Sequence, residues 1–339
     1  MKVSITGVGM AVPERVVPNA EIAARLGVTS EWIEARTGIK ERRFAGPEDS
    51  ASSLGATAAR RALEVSGVEP KDVSMVVVAT CTPDYRLPGA ASLIQNELGA
   101  TRAGAFDVGA ACSGFIYALA VGSGLISGTN QGPAVIIGVD LLTRHINFGD
   151  AMTAPLFGDG AGAVVIEPNP DADPIRFELG SDGSGFHQVY IPTGGSKLSS
   201  DGLPYDPKLD VIKMSGREVF RQAVKKMSEL GTLFGSDSFD LLVAHQANRR
   251  ILDEAGVHLG IDPSKVYMNI QRYGNTSAAS IPLALCEAWE SGRLKPDDRL
   301  LMLAFGAGYT WGGAALRWTL QNPEAGGRRV DPELADLPA

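Results

Sequence analysis

Residues 105–128 read AFDVGAACSGFIYALAVGSGLISG: a short apolar strand, a loop of small residues holding Cys112, and an apolar helix without a single charge. Outward from it, the strand VSMVVVAT (73–80) and a helix closing at Leu98-Gly99 precede AFDV, and the strand AVIIGVD (134–140) and then GDGAGAVVIE (158–167) follow the helix. The same order returns further on. FDLLVAH (239–245) leads through a helix closing at Leu259-Gly260 to a short strand KVYMNI (265–270), and a loop with Asn275 follows. The helix SAASIPLALCEAWESG (277–292), the strand RLLMLAFG (299–306) and WGGAALRW (311–318) complete the copy. The expectation is a duplicated α/β fold, with residues 1–170 as the first half and 171–318 as the second. The stretch 168–210, rich in Pro, Asp, Gly and Ser, reads as a looped connection. The segment 319–339 lacks apolar periodicity and reads as a flexible tail.

Composition narrows the function. Of 339 residues, 44% are hydrophobic and 21% charged, the balance of a globular protein with an ample core. A net charge of −8 argues against nucleic acid or an anionic membrane surface as main partner. Cys81, Cys112 and Cys286 lie far apart with no CxxC spacing, so neither a disulfide framework nor a zinc site is indicated, and a reducing cytoplasm is expected. The N-terminus shows no signal-peptide pattern. The charge-free stretch Val108–Val139 is long enough to raise the question of a membrane span, but its Gly, Ser and Asn content favours a buried helix between buried strands.

Cys112 follows a strand and opens a helix, where backbone N–H groups and the macrodipole favour a thiolate and could hold an oxyanion. The commoner fate of a cysteine is to be a small buried hydrophobe, and Cys81 and Cys286 are read that way. His245 ends an apolar strand and enters the polar loop QAN; by itself it is more simply a structural histidine. Asn275 in YGNTSAAS is by itself a helix cap. Together, a strand-end Cys, a strand-end His and a pre-helix Asn in matching positions of two repeats suggest nucleophilic chemistry on a thioester. The thiolate takes the acyl group, amides bind the oxyanion, and neutral donors from His and Asn stabilise an enolate formed by loss of CO2. No GxSxG, P-loop, HExxH or GxGxxG pattern competes; FGDGAG (157–162) is read as a tight turn.

GAACSGF (109–115), HQAN (245–248), GNTSAAS (274–280) and FGAGYTWG (305–312) resemble the motifs of the β-ketoacyl-acyl-carrier-protein synthase III family, and the similarity runs to Trp318. The resemblance implies a thiolase-like fold in five layers, α-β-α-β-α, and a homodimer. It also implies condensation of an acyl-CoA primer with a malonyl-carrier-protein thioester, with no cofactor beyond the CoA thioester substrate. It casts Cys112 as nucleophile, His245 and Asn275 as the decarboxylation pair, and the amides of Cys112 and Ala307 as the oxyanion hole, Ala307 standing where the family commonly has glycine. Trp32 and Arg36 match residues contacting the CoA nucleotide, and Asn248 one near the pantetheine arm. Leu87, Leu142 and Phe157 match acyl-pocket positions, and Arg221 and Arg250 match the carrier-protein docking patch. Two departures stand out: Ala151 replaces an arginine that helps sandwich the adenine, and Val257 and His258 replace lysines of the docking patch. Acyl transfer to a non-malonyl acceptor in secondary metabolism is the alternative, and a non-catalytic scaffold subunit a weaker one. Chain length and branching of the primer are not written in the sequence.

Overall fold

Apolar runs of four to eight residues form strands buried on both faces. The computed structural model describes residues 1–129, 132–196, 207–235 and 238–323. In the first half, five strands lie in the order Val3–Ala11, Asp159–Pro168, Ala134–Leu141, Met75–Ala79, Gly104–Val108. The last three are parallel to one another, and Asp159–Pro168 runs antiparallel to both its neighbours. In the second half the order is Leu241–Ala244, Arg299–Gly306, Thr310–Arg317, Arg176–Ser181. Here again a parallel pair is followed by an antiparallel return and an antiparallel outer strand.

Two elements differ from the sequence expectation. Arg176–Ser181 is a strand, although it lies within the stretch read as loops. Its alternation of Phe177 and Leu179 with polar residues is a strand signal masked by the flanking Pro, Asp and Gly. KVYMNI, conversely, is not a strand; only an isolated bridge joins Leu242 and Val266. The side chain of Gln246 occupies the hydrogen-bonding groups a ladder would use, donating to Ala244 O at 2.8 Å and Tyr267 O at 3.3 Å and accepting from Asn269 N–H at 3.2 Å.

Helices Gly114–Thr129 and Ser280–Glu290 lie between the sheets, in a core where Phe115, Ile116, Leu119, Ala284 and Leu285 are fully buried. This burial explains why the first of them carries no charge. Ala51–Ser66 and Ala90–Leu98 cover the outer face of the first sheet, and Gly216–Phe234 and Arg249–Leu259 that of the second. The result is five layers, α-β-α-β-α. Of the expected tail, residues 324–339 lie outside the described residues. Its beginning is anchored: Trp289 Nε1 donates to Gln321 O at 2.8 Å, and Asn322 Nδ2 to Trp289 O at 2.7 Å and Leu294 O at 2.8 Å.

The duplication is visible in local backbone strain. Ala111 (φ +47°) and Ser277 (φ +51°) each open a 3-10 turn that leads into a central helix. Aligned on these turns, the counterpart of Cys112 is Ala278, and Asn275 lies three positions earlier. The two loops are equivalent, but the two functional side chains are not counterparts.

The halves meet backbone to backbone. A Cβ on Gly138 would lie 2.2 Å from Ala278 O, and one on Gly306 would lie 2.8 Å from Cys112 N. Gly138→Ala should therefore destabilise the protein by about 3 kcal/mol through overpacking. Gly128→Ala, whose Cβ meets nothing within 4 Å, serves as the control. Denaturant midpoints would compare them, and equal midpoints would show that the halves are not in this contact.

Candidate active site

The strand Gly104–Val108 delivers Cys112 into the turn Ala111–Ser113, at the N-terminal end of the helix Gly114–Thr129. The turn is pinned to the second half: Ser113 Oγ donates to Thr310 O at 3.1 Å, and Thr310 Oγ1 to Ala110 O at 2.9 Å. Around Sγ are the Ser277 hydroxyl, at 3.5 Å, and the backbone N–H groups of Cys112 and Ala307. Burial pushes the thiol up to about 11; those three donors oppose the shift, and the nearby Asp140 adds to it. Desolvation thus works against the thiolate that the helix terminus was expected to favour. Ala307 lies outside the left-handed region, which falls instead on Gly308 and Tyr309, so its Cβ is tolerated and its amide remains a donor.

His245 leaves the strand Leu241–Ala244 with its N–H donating to Leu303 O at 2.8 Å, and it is 2% exposed. Nδ1 lies 2.7 Å from Ser280 Oγ. Burial pulls the imidazole down to about 3, so it is neutral throughout the physiological range. Asn275 is held on both sides of its backbone, accepting from Gly158 N–H at 3.1 Å and donating to Leu156 O at 2.8 Å. Its Oδ1 accepts from Ser277 N–H at 2.8 Å. Because a backbone N–H can only donate, this bond fixes the carboxamide orientation and leaves the Nδ2 hydrogens without a protein acceptor among the described residues. Asn275 is therefore not the helix cap its sequence suggested; its oxygen closes a turn two residues on, and its NH2 is kept as a donor.

Behind the nucleophile lies a buried carboxylate that the sequence did not single out. Asp140 accepts from Cys81 N–H at 2.6 Å, the Thr80 and Thr82 hydroxyls at 3.2 and 3.3 Å, and Ala278 N–H at 3.2 Å. Burial pushes its pKa up against these bonds. Its partners come from both halves, so it ties the second-half turn to the first-half sheet.

Cys112, His245 and Asn275 line one cavity of about 560 Å³, together with Trp32, Arg36, Phe157, Asn248, Arg250 and Ala307. The Arg36 guanidinium stacks 4.1 Å from the Trp32 ring at the mouth. Asn248 is already engaged, donating to Arg36 O at 3.1 Å and capping the helix Arg249–Leu259 through Arg250 N–H at 2.9 Å. Two residues expected in the acyl pocket lie elsewhere. Leu87, followed by a cis proline, projects from the surface with 88% exposure. Leu142 is buried among Ile146, Ala154, Phe157 and Ile212, behind the cavity wall. Arg221, matched to the docking patch and not to the cavity, is exposed at the surface and paired with Glu218 at 2.6 Å. Ala151 lines the mouth without a side chain long enough to clamp a ring, and the unanticipated Arg217 lines it too. No local signal marks Arg217; it sits on an amphipathic helix where an arginine is ordinarily a solvated charge.

The neutral His245 has a consequence for pH. Its ordinary pKa is about 6.5, so in acid the unfolded chain takes up a proton that the native protein resists. The stability it confers is complete above about 6.5 and lost as pH falls toward about 3. Denaturant midpoints at neutral pH and near pH 4.5 should fall more steeply for the wild type than for His245→Asn. Parallel slopes would mean that His245 is not buried as an uncharged ring.

The arrangement offers a thiol, two amides aimed at its sulfur, a neutral imidazole and a carboxamide NH2 facing one space. Comparison with known proteins agrees with this set. Residues 106–183 and 233–318 match the family models described as 3-oxoacyl-[acyl-carrier-protein] synthase III and its C-terminal region. A β-ketoacyl-[acyl-carrier-protein] synthase III of Symbiobacterium thermophilum is 44% identical over 325 residues, covering 93% of this chain and 98% of that protein. The crystal structure of the corresponding enzyme from Pseudomonas aeruginosa PAO1 superposes with a TM-score of 0.88 at 36% identity, over 95% of this chain and 100% of that one. The priming β-ketosynthase of the R1128 polyketide pathway gives 0.88 at 35% identity, over 95% and 97%. This chain belongs to the 3-oxoacyl-[acyl-carrier-protein] synthase III family of condensing, acyl-transferring enzymes.

Proposed function

We propose that the chain starts fatty acid or polyketide synthesis by decarboxylative Claisen condensation of an acyl-CoA primer with a malonyl-carrier-protein thioester. The observation that carries this is the gathering of Cys112, His245 and Asn275 on one cavity from opposite halves of the fold. In the first step the Cys112 sulfur attacks the acyl thioester, the amides of Cys112 and Ala307 hold the tetrahedral oxyanion, and CoA departs with the thiol proton. In the second, the malonyl thioester loses CO2 to give an enolate. Its oxygen is held by the imidazole N–H of His245 and the Nδ2 hydrogens of Asn275, neutral donors that do not need to be charged first. The enolate carbon attacks the acyl-cysteine, and the sulfur leaves as thiolate. Burial disfavours that thiolate, which then regains a proton from solvent.

The nucleotide end of CoA carries phosphates that need cations. Arg36, Arg217 and Arg250 at the mouth supply them, while Ala151 supplies nothing. Arg217→Ala is expected to raise KM for acetyl-CoA about tenfold with kcat retained, as for loss of one charge-assisted contact. Initial rates against acetyl-CoA and against acetyl-pantetheine would check it, since only the first should respond. Equal effects on both would place Arg217 away from the phosphates.

A homodimer is part of this reading. Among the described residues the outer edge of Gly104–Val108 has no partner strand, and an open edge beside the exposed Leu87 suits pairing with a second copy. Leu87 would then reach an acyl pocket across the interface. The substrates and the three free cysteines support a cytoplasmic setting without a cofactor. Labelled malonyl-carrier protein tests the function: release of CO2 with a β-keto product supports it. Acyl transfer without CO2 release would mean the non-malonyl transferase, and absence of any acyl adduct on Cys112 the scaffold.

A further inference from the structure

Two residues in the motifs around His245 and Asn275 have no part in the chemistry above, yet they determine where the imidazole proton sits. Ser280 is the first residue of the helix Ser280–Glu290 and is 2% exposed. Its Oγ lies 2.7 Å from His245 Nδ1 and 3.4 Å from the backbone nitrogen of Gln246. The Gln246 N–H can only donate, so Ser280 Oγ is the acceptor of that contact. A hydroxyl has one proton of its own to place, and among the described residues no acceptor other than Nδ1 lies within its hydrogen-bonding reach. Were Nδ1 protonated, it would donate to Ser280 Oγ, and the serine's own hydrogen would turn away and go unpaired in a site almost closed to solvent.

We propose that Ser280 is a positioning residue that holds His245 as the Nε2–H tautomer, making the imidazole a hydrogen-bond donor to the condensing thioester rather than a base. The proposal rests on the condensation reading for its purpose, but not for its geometry. Gln246 is part of the device: its side chain clamps the strand end to the loop carrying Tyr267 and Asn269, and its amide orients the serine oxygen. The arrangement leaves no base at Nε2 for the Cys112 proton. That is consistent with a first step in which the proton leaves with the departing CoA sulfur. The sequence contains the serine in GNTSAAS and the histidine in HQAN, but 35 positions separate them and only the fold joins them.

Nitrogen-15 NMR of the full-length protein, with His245 assigned by its loss in His245→Asn, reads the tautomer directly. The expected wild-type pattern is an unprotonated Nδ1 and a protonated Nε2, and in Ser280→Ala the second tautomer should appear. In kinetics, Ser280→Ala should acylate Cys112 from acetyl-CoA at the wild-type rate. Its kcat for condensation should fall about tenfold, the scale of losing a group that orients a functional histidine, with KM for the malonyl substrate unchanged. Ser280→Thr, which keeps the hydroxyl, should recover most of that loss. A wild-type spectrum with Nδ1 protonated would overturn the proposal, as would a Ser280→Ala variant that condenses normally. If Ser280→Ala does not fold, the wild-type spectrum alone decides. If the wild type shows the expected tautomer but never releases CO2, the proposed reaction fails and the positioning of His245 stands.

Discussion

Cys112→Ala should take no acyl group from acyl-CoA and should lose condensation by at least about a thousandfold, as when a covalent nucleophile is removed. No other thiol can substitute. Cys286 is buried inside the helix Ser280–Glu290, which raises its pKa well above the usual thiol value, and Cys81, exposed at the surface rather than buried as its sequence suggested, stands apart from the substrate space. Neither lines the cavity. Cys112 shares the upward shift, yet only its sulfur faces two backbone amides and a serine hydroxyl, groups that stabilise negative charge as it develops. Intact-mass measurement after incubation with acetyl-CoA checks this, and an adduct on the variant would mean that another residue carries the acyl group.

His245→Ala should behave differently. Acylation needs the sulfur and the two amides, none of which depends on the imidazole, so the acetyl adduct should still form. Decarboxylation should drop by about 10² to 10³, the effect of removing one oxyanion donor worth about 2.7–4 kcal/mol. The residual rate would come from Asn275, whose free Nδ2 hydrogens remain. The depressed pKa of His245 sharpens the point: a ring that stays neutral from about pH 4 upward can stabilise an enolate only by donating a hydrogen bond, so condensation should show no step near pH 6.5 attributable to this group. Separate measurement of adduct formation and CO2 release distinguishes the two steps. Equal loss of both would show that the histidine acts on the thiol.

Much of this was legible before any coordinates. Cys112 and His245 follow apolar runs that break into loops, and Asn275 precedes an apolar helix, boundaries that can be read from local pattern. So can the charge-free helix, whose first turns are buried between the two sheets. What could not be read depends on contacts between the halves. Ser277 reaches Cys112 across 165 positions, Ser113 reaches Thr310 across 197, and Asp140 joins Ala278 across 138. No spacing rule connects such residues. The desolvation that opposes a thiolate at Cys112 was hidden for a related reason: a helix N-terminus is visible in sequence, but depth of burial is not. Gln246 illustrates the local limit, since a single side chain replaced the ladder that would have made KVYMNI a strand. Leu87 shows another, a residue whose matching position suggested a pocket yet which faces outward in one chain.

The most direct test is a single turnover. Protein carrying one acetyl group on Cys112, freed of excess acetyl-CoA, would be mixed with malonyl-carrier protein labelled in its free carboxylate. The expected result is one labelled CO2 for each acetyl group lost from the Cys112 peptide, with acetoacetyl-carrier protein as product. Persistence of the acetyl-cysteine while the malonyl thioester is consumed would contradict the account, because sulfur, imidazole and carboxamide would then not be serving one reaction.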